Sequence, residues 1–472
     1  LMATILELRL ADIARLKELS ATDPTLSEAE EPAQFTRPFL EKIGIFYQPQ
    51  LLGEGYIKHS YRDFIVEEIT ENGQVISIAP GPLTDHQLDS PPPADRTKKL
   101  RLEVDMVKQG FSTFEAIEQL ATELGLDLNQ ISYAGLKDGK AITAQRVSIN
   151  QVMVDRLSTL NLPNIFLKNG HYRVGMGNLG ELIGNRFTIL VRTKSINQEQ
   201  ISTRLKGIGE QGFLNFFSLQ RFGGRLLSHK IGKQVMLGRH DDAIRLLLAG
   251  VSPHETRALQ DLRQQAISIW RDWEKIGQLF GQYPYFFQHE LKAIESLKIY
   301  PDDMAAALRA TPDQTKMAYS AYGSYCFNQV LSQQATTGQI DPSIALLGPE
   351  SVAWYDRLLP EEGLKQLRWH QPTLNFLGRP RSRSIPARVG VDIHSVTPTE
   401  VGLIFHFDLT KGAYATTFLA ELFGLYQGRP IPSWVHEESV DIRAAIGYPS
   451  IETTEQAFPS LPANLEEDIA DD

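Results

Sequence analysis

The chain has 472 residues, of which 42% are hydrophobic and 22% charged, as in ordinary globular proteins, and its length favours two or three domains. The single cysteine, Cys326, excludes an intrachain disulfide and a cysteine-cluster metal site. No apolar run approaches the roughly 20 residues of a membrane span, and the N-terminus lacks the basic start and apolar centre of a signal peptide. We therefore expect a cytoplasmic protein that does not engage a membrane.

The acidic residues are concentrated at the two ends of the chain. The formal net charge of −10 argues by itself against a nucleic-acid partner. Residues 1–50 carry eight acids and five bases, and residues 431–472 carry ten acids and one base, so the middle of the chain has a net charge of +2. Because the acidic ends can lie away from a binding cleft, the composition is compatible with an RNA partner.

The first predicted elements are a helix and a strand. Apolar residues at helical spacing predict an amphipathic helix over residues 5–20, which we interpret as a docking extension in preference to a partner-binding helix. Residues 63–69 are apolar on both faces, and they predict a strand that is covered on both sides. Residues 83–99 include three consecutive prolines and predict a flexible loop.

A turn with one carboxylate among lysines follows a second strand and helix. The strand is predicted over residues 100–107, and Ser112 or Thr113 could cap the helix, which Gly125 would close. The turn is Tyr133-Ala134-Gly135-Leu136-Lys137-Asp138-Gly139-Lys140, and residues 141–149 after it predict a strand. Alone, this turn is typical of a surface hairpin, because Asp and Gly tolerate the positive φ that tight turns require.

Aromatic side chains are concentrated over residues 212–224, after a predicted half-buried strand at 186–192 and a short helix at 198–207. Most phenylalanines belong to the core. Aromatic rings beside an amide and an arginine are also what the stacking and edge recognition of an unstacked base require. The residues concerned are Asn215, Phe217, Gln220 and Arg221.

From about residue 241 the pattern becomes mainly helical, with helical runs predicted at 243–248, 259–276, 304–310 and 317–331, and a stretch rich in Pro and Gly then runs to Pro386. Arg379, Arg381 and Arg383 alternate within it. If extended, they would share one face, as in a strand that contacts phosphates, and a merely solvated strand is an equally good interpretation.

Strand character returns at residues 391–397 and 402–409, and residues 415–422 predict a helix. The strands on either side of the helical insert would share one sheet. The chain then becomes acidic, and we expect its last residues, 466–472, to be frayed.

Several of these segments, in collinear order, resemble the TruD-type tRNA pseudouridine synthases. The motifs are Gly55-Tyr56-Ile57-Lys58 with Asp63-Phe64-Ile65-Val66-Glu67-Glu68; Ala134-Gly135-Leu136-Lys137-Asp138 with Ala141, Thr143 and Gln145; Leu182-Ile183-Gly184-Asn185-Arg186-Phe187; Asn215-Phe216-Phe217 with Gln220-Arg221-Phe222-Gly223; Ser324 to Asn328; and Gly412-Ala413-Tyr414-Ala415-Thr416. The resemblance extends over residues 53–425, and six motifs in order are far more specific than any one of them.

The resemblance implies an α+β fold, in which a pseudouridine synthase core with a mixed, largely antiparallel sheet carries an inserted, mainly helical TRUD domain. The implied division is an N-terminal helical extension (1–50), the catalytic domain in two parts (51–240 and 391–430), the inserted TRUD domain (241–390) and an acidic C-terminal tail (431–472).

The resemblance also implies an isomerase that converts a uridine in tRNA, typically at position 13, to pseudouridine. Asp138 matches the catalytic carboxylate, and Lys58 and Asn215 match active-site positions beside it. Phe64, Phe217 and Gln220 match base-binding positions, with Phe217 as the stacking aromatic. Weaker RNA-backbone contacts are predicted at Lys137, Lys140, Arg221, Arg379, Arg381 and Arg383.

These residue types suit the reaction. Breaking a C–N glycosidic bond and forming a C–C bond requires a carboxylate near the anomeric carbon, as nucleophile or base, and a nearby lysine favours its charged form. The uracil must be flipped out, detached, turned and retained, which requires a snug aromatic pocket. Since this isomerisation needs no metal, nucleotide or redox cofactor, we predict none. The expected partner is tRNA, with no protein partner required, and we expect a monomer.

Four positions depart from the family pattern. Thr410 stands where proline is frequent before Gly412, and the segment between residues 165 and 180 also carries few of the bases often found there. Phe216 and Ser218 stand where the family commonly has tyrosine and glycine, and Ser112 replaces an acidic or amide residue. These departures bear on substrate identity more than on the role of Asp138. From the sequence, two other interpretations stay open: a non-catalytic RNA-binding protein or tRNA chaperone that keeps the fold, and a protein-interaction scaffold.

Overall fold

The structure is a computed structural model that describes residues 4–31, 36–83, 100–150, 154–174, 182–194, 197–378 and 383–459. Arg379, Arg381, residues 466–472 and all but the first residue of the predicted loop at 83–99 lie outside these ranges.

Fourteen strands lie within the described residues. They are β1 (Gly53–Tyr56), β2 (Phe64–Thr70), β3 (Leu100–Gln109), β4 (Ile131–Tyr133), β5 (Ile142–Asn150), β6 (Ile165–Val174), β7 (Leu182–Arg192), β8 (Phe213–Leu214), β9 (Ser343–Ala345), β10 (Ser384–Pro386), β11 (Arg388–Val389), β12 (Val391–Pro398), β13 (Gly402–Thr410) and β14 (Phe423–Tyr426).

Ten of these strands form one sheet. Seven of them follow the order β12-β13-β7-β2-β5-β3-β6, β4 pairs with β5, and β1 pairs with β7 and β14. The β2–β5 and β1–β14 pairs are parallel, and the other pairs are antiparallel. The predicted mixed, largely antiparallel sheet is therefore confirmed, and strands from both sides of the helical insert share it.

The parallel β2–β5 pair positions the candidate site. Ile65 of β2 pairs with Ile142 of β5, so both strands begin at the same end of the sheet. The segments that precede them, residues 57–63 and 134–141, therefore meet at that end although they are far apart in sequence.

Alternate side chains of β2 enter two different cores. Phe64 and Val66 face a large core shared with the helices, whereas Ile65 faces a smaller core. The described part of the C-terminal segment helps to close the smaller core with Ile442, Ile451 and Phe458. Every residue of β2 is consequently buried, as the sequence predicted.

β7 is also buried on both faces over residues 187–192, where the sequence predicted a half-buried strand. The prediction was wrong because the polar side chains have internal partners. Thr188 Oγ1 lies 2.9 Å from His406 Nδ1, and the Arg192 guanidinium donates to both carboxylate oxygens of Asp63 at 2.8 and 3.0 Å. Satisfied polar groups of this kind can occupy a core.

Fifteen α-helices lie within the described residues. They are α1 (Ile5–Thr22), α2 (Arg37–Glu41), α3 (Thr113–Leu124), α4 (Val154–Ser158), α5 (Gln198–Gln211), α6 (Ser228–Leu237), α7 (His240–Ala249), α8 (Arg257–Ser268), α9 (Trp273–Phe280), α10 (Gln288–Ile299), α11 (Met304–Ala310), α12 (Pro312–Thr337), α13 (Val352–Leu358), α14 (Ala415–Ala420) and α15 (Ile451–Glu455). None of these helices combines the length and the apolar character that a bilayer crossing requires.

The long α12 packs against α6 and α11 within the helical segment between β8 and β9. It crosses α6 so closely that a Cβ on Gly232 would lie 1.9 Å from the carbonyl oxygen of Ala318, so only glycine fits there. The helical run predicted at 259–276 is broken into α8 and α9, because Arg271 between them has a left-handed φ of +74°. The domain boundaries stay predictions.

The N-terminal helix α1 is docked onto two parts of the molecule. The Arg9 guanidinium donates to the carbonyl oxygen of Gly110 at 2.9 Å, beside the start of α3. The Asp12 carboxylate accepts backbone hydrogen bonds from Tyr285 and Phe286 at 2.8 and 3.2 Å, before α10. These contacts agree with its interpretation as a docking extension.

Candidate active site

Buried hydrogen bonds hold the loop of residues 134–141 between β4 and β5. Lys137 N donates to Thr113 Oγ1 at 2.8 Å, and this hydroxyl donates to Gln145 Oε1 at 2.7 Å. Gln145 Nε2 donates in turn to the carbonyl oxygen of Gly135 at 3.1 Å. Ser112, rather than Thr113, caps α3, which leaves the Thr113 hydroxyl available for the loop.

A buried lysine fixes the backbone of Asp138 itself. The ammonium group of Lys108 donates to the carbonyl oxygen of Asp138 at 2.9 Å and to that of Phe111. Lys108 is 0% exposed, and burial lowers its pKa to about 7, although the nearby carboxylates of Asp138 and Glu115 oppose that shift. Sequence reasoning missed this residue. Its one signal is its position in β3, where it follows the buried residues 104 and 106 at the two-residue spacing of one strand face.

The carboxylate of Asp138 is held at one oxygen. Lys58 Nζ lies 2.6 Å from Oδ1, and Gln220 Nε2 donates to the same atom at 2.7 Å. Among the described residues no donor engages Oδ2. The Lys58 ammonium also lies 4.4 Å from the ring centroid of Phe64. The side chains of Lys58 and Asp138 are 10% and 23% exposed, so water only partly screens this pair.

Asp138 lines a cavity of about 230 Å³. The other lining residues come from β2, the loop, β7, the Gln220 turn and the segment before α14: Phe64, Val66, Ala134, Gly135, Leu136, Lys137, Leu182, Asn185, Phe187, Gln220, Lys411, Gly412, Ala413, Tyr414, Ala415 and Thr416. Pockets for drug-sized ligands are larger, roughly 300–1,000 Å³, so this cavity is small for a ligand site. The cavity joins one carboxylate to aromatic and apolar walls.

Two polar side chains of this cavity are notable. The Oδ1 atom of Asn185 is buried and has no hydrogen-bond partner within the described parts of the chain. Burial raises the pKa of Tyr414 above its ordinary value. Asn185 thus offers an uncommitted amide to a bound molecule.

The family model for tRNA pseudouridine synthase D (TruD) matches residues 48–345. The chain belongs to the TruD family. Among curated relatives, the probable tRNA pseudouridine synthase D of Methanopyrus kandleri is 28% identical over 349 residues, which cover 67% of this chain and 84% of the relative. The tRNA pseudouridine synthase D of Geotalea daltonii is 27% identical over 363 residues, covering 67% of this chain and 89% of the relative.

A crystal structure of a Methanosarcina mazei protein assigned as TruD supports the fold. It aligns with a TM-score of 0.54 at 22% sequence identity and covers 81% of this chain and 97% of that one. The resemblance read from the sequence motifs and the predicted α+β fold are thus confirmed, and the chain belongs to an isomerase family.

Three residues that the TruD motifs place in the active site lie outside the cavity lining: Lys58, which contacts Asp138 directly, and Asn215 and Phe217. Asn215 is 8% exposed, and its Nδ2 donates to the carbonyl oxygen of Pro386 at 3.0 Å, so its amide joins two backbone segments. Phe217 is half-buried and packs edge-on against Phe327 and Tyr414, with ring centroids 5.3 and 6.3 Å apart. Phe217 therefore adjoins the cavity through Tyr414. The Asn215 amide is instead engaged in a hydrogen bond with the backbone of Pro386.

The predicted phosphate contacts have different environments. Lys137 needs a correction: its ammonium lies 2.8 Å from Glu68 Oε2, and the two side chains are only 3% and 1% exposed, so it is not placed to meet a phosphate. Lys140 and Arg221 are half-buried. Arg221 Nε donates to Ser324 Oγ at 3.1 Å. Arg383 is exposed, and the other two arginines of its group lie outside the described ranges.

The departures from the TruD pattern at residues 216 and 218 lie in the interior. Phe216 is 5% exposed, and Ser218 is 2% exposed with its hydroxyl 2.8 Å from Thr416 Oγ1. Thr416 lines the cavity, so the added hydroxyl ties the Asn215–Ser218 segment to the cavity wall.

Within the described residues, one group has the chemistry of a metal site: Asp392, His394 and Asp408, whose donor atoms lie within 4.8 Å of one another. Arg186 donates to both carboxylate oxygens of Asp408 at 2.8 and 2.9 Å, and its Nη2 lies 3.2 Å from His394 Nε2. Because the guanidinium would repel a metal cation, we assign no metal to this group.

Proposed function

We propose that this protein converts a uridine in tRNA to pseudouridine, at position 13 as the family motifs imply, with Asp138 as the catalytic carboxylate. One observation carries the proposal. The Asp138 carboxylate is anchored at Oδ1 by Lys58 and Gln220, receives no donor on Oδ2 from the described residues, and lines a cavity of about 230 Å³.

The anchoring suits the chemistry that Asp138 would perform. The Lys58 ammonium forms an ion pair with this carboxylate, and the ionised carboxylate is the form that can attack the anomeric carbon or accept a proton. Both protein hydrogen bonds go to Oδ1, which leaves Oδ2 as the reactive atom. The loop backbone is fixed by Lys108 and Thr113, so little reorganisation of Asp138 is needed when the substrate binds.

The cavity walls suit a uracil that has been detached and must be retained. Phe64 and Tyr414 provide aromatic surface. The uncommitted amide of Asn185 can pair with the imide edge of uracil, which presents an N–H donor beside carbonyl acceptors. An amide that stays unpaired unless a uracil-like edge binds it would also select against other bases.

The test is tritium release from tRNA labelled at uridine C5. We expect Asp138→Asn to abolish release while the thermal transition persists, because a half-buried loop carboxylate contributes little to the core. Asp356→Asn is the matched control: this carboxylate is 13% exposed, pairs with Lys365 at 3.1 Å and lies in α13. Wild-type release by Asp138→Asn would contradict the assignment.

Tritium release together with a tRNA-binding measurement on the same variants distinguishes the rival functions. A non-catalytic RNA-binding protein or tRNA chaperone would bind tRNA with or without Asp138 and release no tritium, and an interaction scaffold would not bind tRNA at low salt. Mapping the pseudouridine in the product tRNA tests the position separately. A product modified elsewhere would contradict position 13 while leaving the reaction in place.

A further inference from the structure

Two large apolar side chains are exposed at the mouth of the Asp138 cavity. Leu136, which lines the cavity, is 67% exposed, and Ile183, next to the lining residue Leu182, is 50% exposed. Single exposed leucines are ordinary on protein surfaces. An exposed leucine two residues before a candidate catalytic carboxylate calls for a specific explanation.

The backbone on both sides of Leu136 is fixed. The carbonyl oxygen of Gly135 accepts from Gln145, and the amide of Lys137 donates to Thr113, both through buried side-chain atoms. The Lys137 side chain is buried in its pair with Glu68. The loop therefore presents Leu136 to solvent from a rigid support, and this exposure is not the result of local looseness.

The position of Leu136 relative to Asp138 limits what it can contact. Two residues of chain span at most about 7 Å, so any nucleotide whose sugar reaches Asp138 lies beside Leu136. When a base leaves its stack for a pocket, it leaves a gap between its former neighbours. Apolar side chains inserted between base steps are a known way of occupying such gaps in nucleic acids.

We propose that Leu136 is the apolar wedge that takes the place of the target uridine in the RNA stack while the base occupies the cavity. The inference rests on the proposed function and deepens it, because it defines the substrate class. The enzyme is built for a uridine stacked between neighbours in folded RNA, and it holds that uridine in the extruded state.

The first test compares two substrates with two leucine variants. Leu136→Ala removes the wedge, and Leu128→Ala is the control, since Leu128 is 43% exposed in the connection between α3 and β4, just before the strand that leads to Leu136, and does not line the cavity. One substrate is the intact tRNA. The other is the same tRNA with abasic sites on both sides of the target, so that the uridine has no stacking neighbour.

Single-turnover tritium release should separate the variants. We expect Leu136→Ala to be roughly 10- to 100-fold slower than wild type on the intact tRNA, because the cost of extrusion is no longer offset. On the abasic tRNA it should match wild type within about twofold. Leu128→Ala should match wild type on both RNAs, and both variants should keep the wild-type melting temperature. If Leu136→Ala slowed tritium release equally on both RNAs, or slowed it on neither, the proposal that Leu136 acts as a wedge would be wrong.

A second measurement does not depend on turnover. The reporter is 2-aminopurine placed beside the target uridine in the tRNA. Binding of the Asp138→Asn protein should raise its fluorescence, because the target uridine leaves the stack and Leu136 separates the bases that remain. Adding Leu136→Ala should abolish most of that rise, and an unchanged rise would contradict the proposal. Failure of the wild type to form pseudouridine would instead refute the proposed function, so the two failures are distinguishable.

Discussion

Lys58 Nζ and Asp138 Oδ1 lie 2.6 Å apart although the two residues are separated by 80 positions in the chain. They meet because Lys58 precedes β2, Asp138 precedes β5, and these strands are parallel neighbours. Lys58 adopts a left-handed φ of +58°, which is uncommon for a residue with a side chain. Strain of this kind is typical of functional sites.

Replacing Lys58 with methionine should reduce turnover while the protein stays folded. Lys58→Met removes the positive charge and one of the two donors to Asp138, and we expect kcat to fall roughly 10²–10³-fold. Lys233→Met is the control, because Lys233 also pairs with a carboxylate, Glu362 at 2.7 Å, and lies 5.6 Å from the ring of Tyr322. Tritium release gives the rates. Equal losses in the two variants would show that the effect is structural.

The buried Lys108 should act on catalysis through the backbone of Asp138. Lys108→Met leaves two carbonyl oxygens without their donor and loosens the loop, so we expect kcat to fall about 10- to 100-fold with KM within about twofold of wild type. Both values come from steady-state tritium release.

Lys168 provides a matched control for Lys108. It is 4% exposed and donates to the carbonyl oxygens of Ser77 and Ala79, and it does not line the Asp138 cavity. Lys168→Met should lose a similar unfolding free energy, about 1–3 kcal/mol, and keep its kcat. If both variants lose activity in proportion to stability, Lys108 has no separate positioning role.

Phe217 can be assigned to base stacking or to the core by a change that removes the ring and keeps a large apolar side chain. Phe217→Leu should cost less than about 1.5 kcal/mol of stability. It should nevertheless lower kcat/KM roughly tenfold if the ring stacks on a base. Its edge-on neighbour Phe327 is 0% exposed, so Phe327→Leu should lower the melting temperature and spare the activity. A Phe217→Leu variant with wild-type kcat/KM would place this ring in the core.

The Asp12 carboxylate should make folding stability depend on pH. Burial raises its pKa to about 6, while backbone hydrogen bonds from Phe286 and Tyr285 partly oppose the shift. A raised pKa in the folded state means that stability is greatest when the carboxyl is protonated and falls as the pH rises from about 4 to about 6. The loss is on the order of 2–3 kcal/mol.

Urea unfolding at pH 4 and pH 7 measures this dependence. The Asp12→Asn variant cannot titrate at this position, so its stability should fall by about 2–3 kcal/mol less than that of the wild type over the same interval. The same pH dependence in both proteins would rule out Asp12 as its source.

Local sequence patterns predicted much of the fold and part of the site. The helix after Ser112 and the covered strand at Phe64 follow from capping chemistry and apolar periodicity, which depend only on near neighbours in the chain. The motif order pointed to Asp138, Lys58 and Gln220, and the structure brings these three together. Those assignments used the family pattern, since neither periodicity nor composition distinguishes Asp138 from an acid in a surface turn.

Three features could not be predicted, because each depends on a partner distant in sequence. In the sequence, Lys137 resembles an exposed lysine of a turn. In the structure its ammonium forms a buried hydrogen bond with Glu68, 69 positions away. Lys108 donates to the backbone carbonyl of Asp138, and a contact with a backbone atom cannot be inferred from the residue types of the two partners. Arg192 is a core residue only because Asp63 meets it.

By itself, the sequence determined which segments become most of the helices and strands, and its motif order singled out Asp138 as the candidate catalytic carboxylate, since periodicity, caps and motif order are properties of the sequence alone. Only the tertiary structure decided which polar groups are buried together, that Asp138 is held at one oxygen, and that Leu136 projects into solvent beside it. Burial and ion pairing depend on distances through space, and the parallel β2–β5 pair sets those distances at this site.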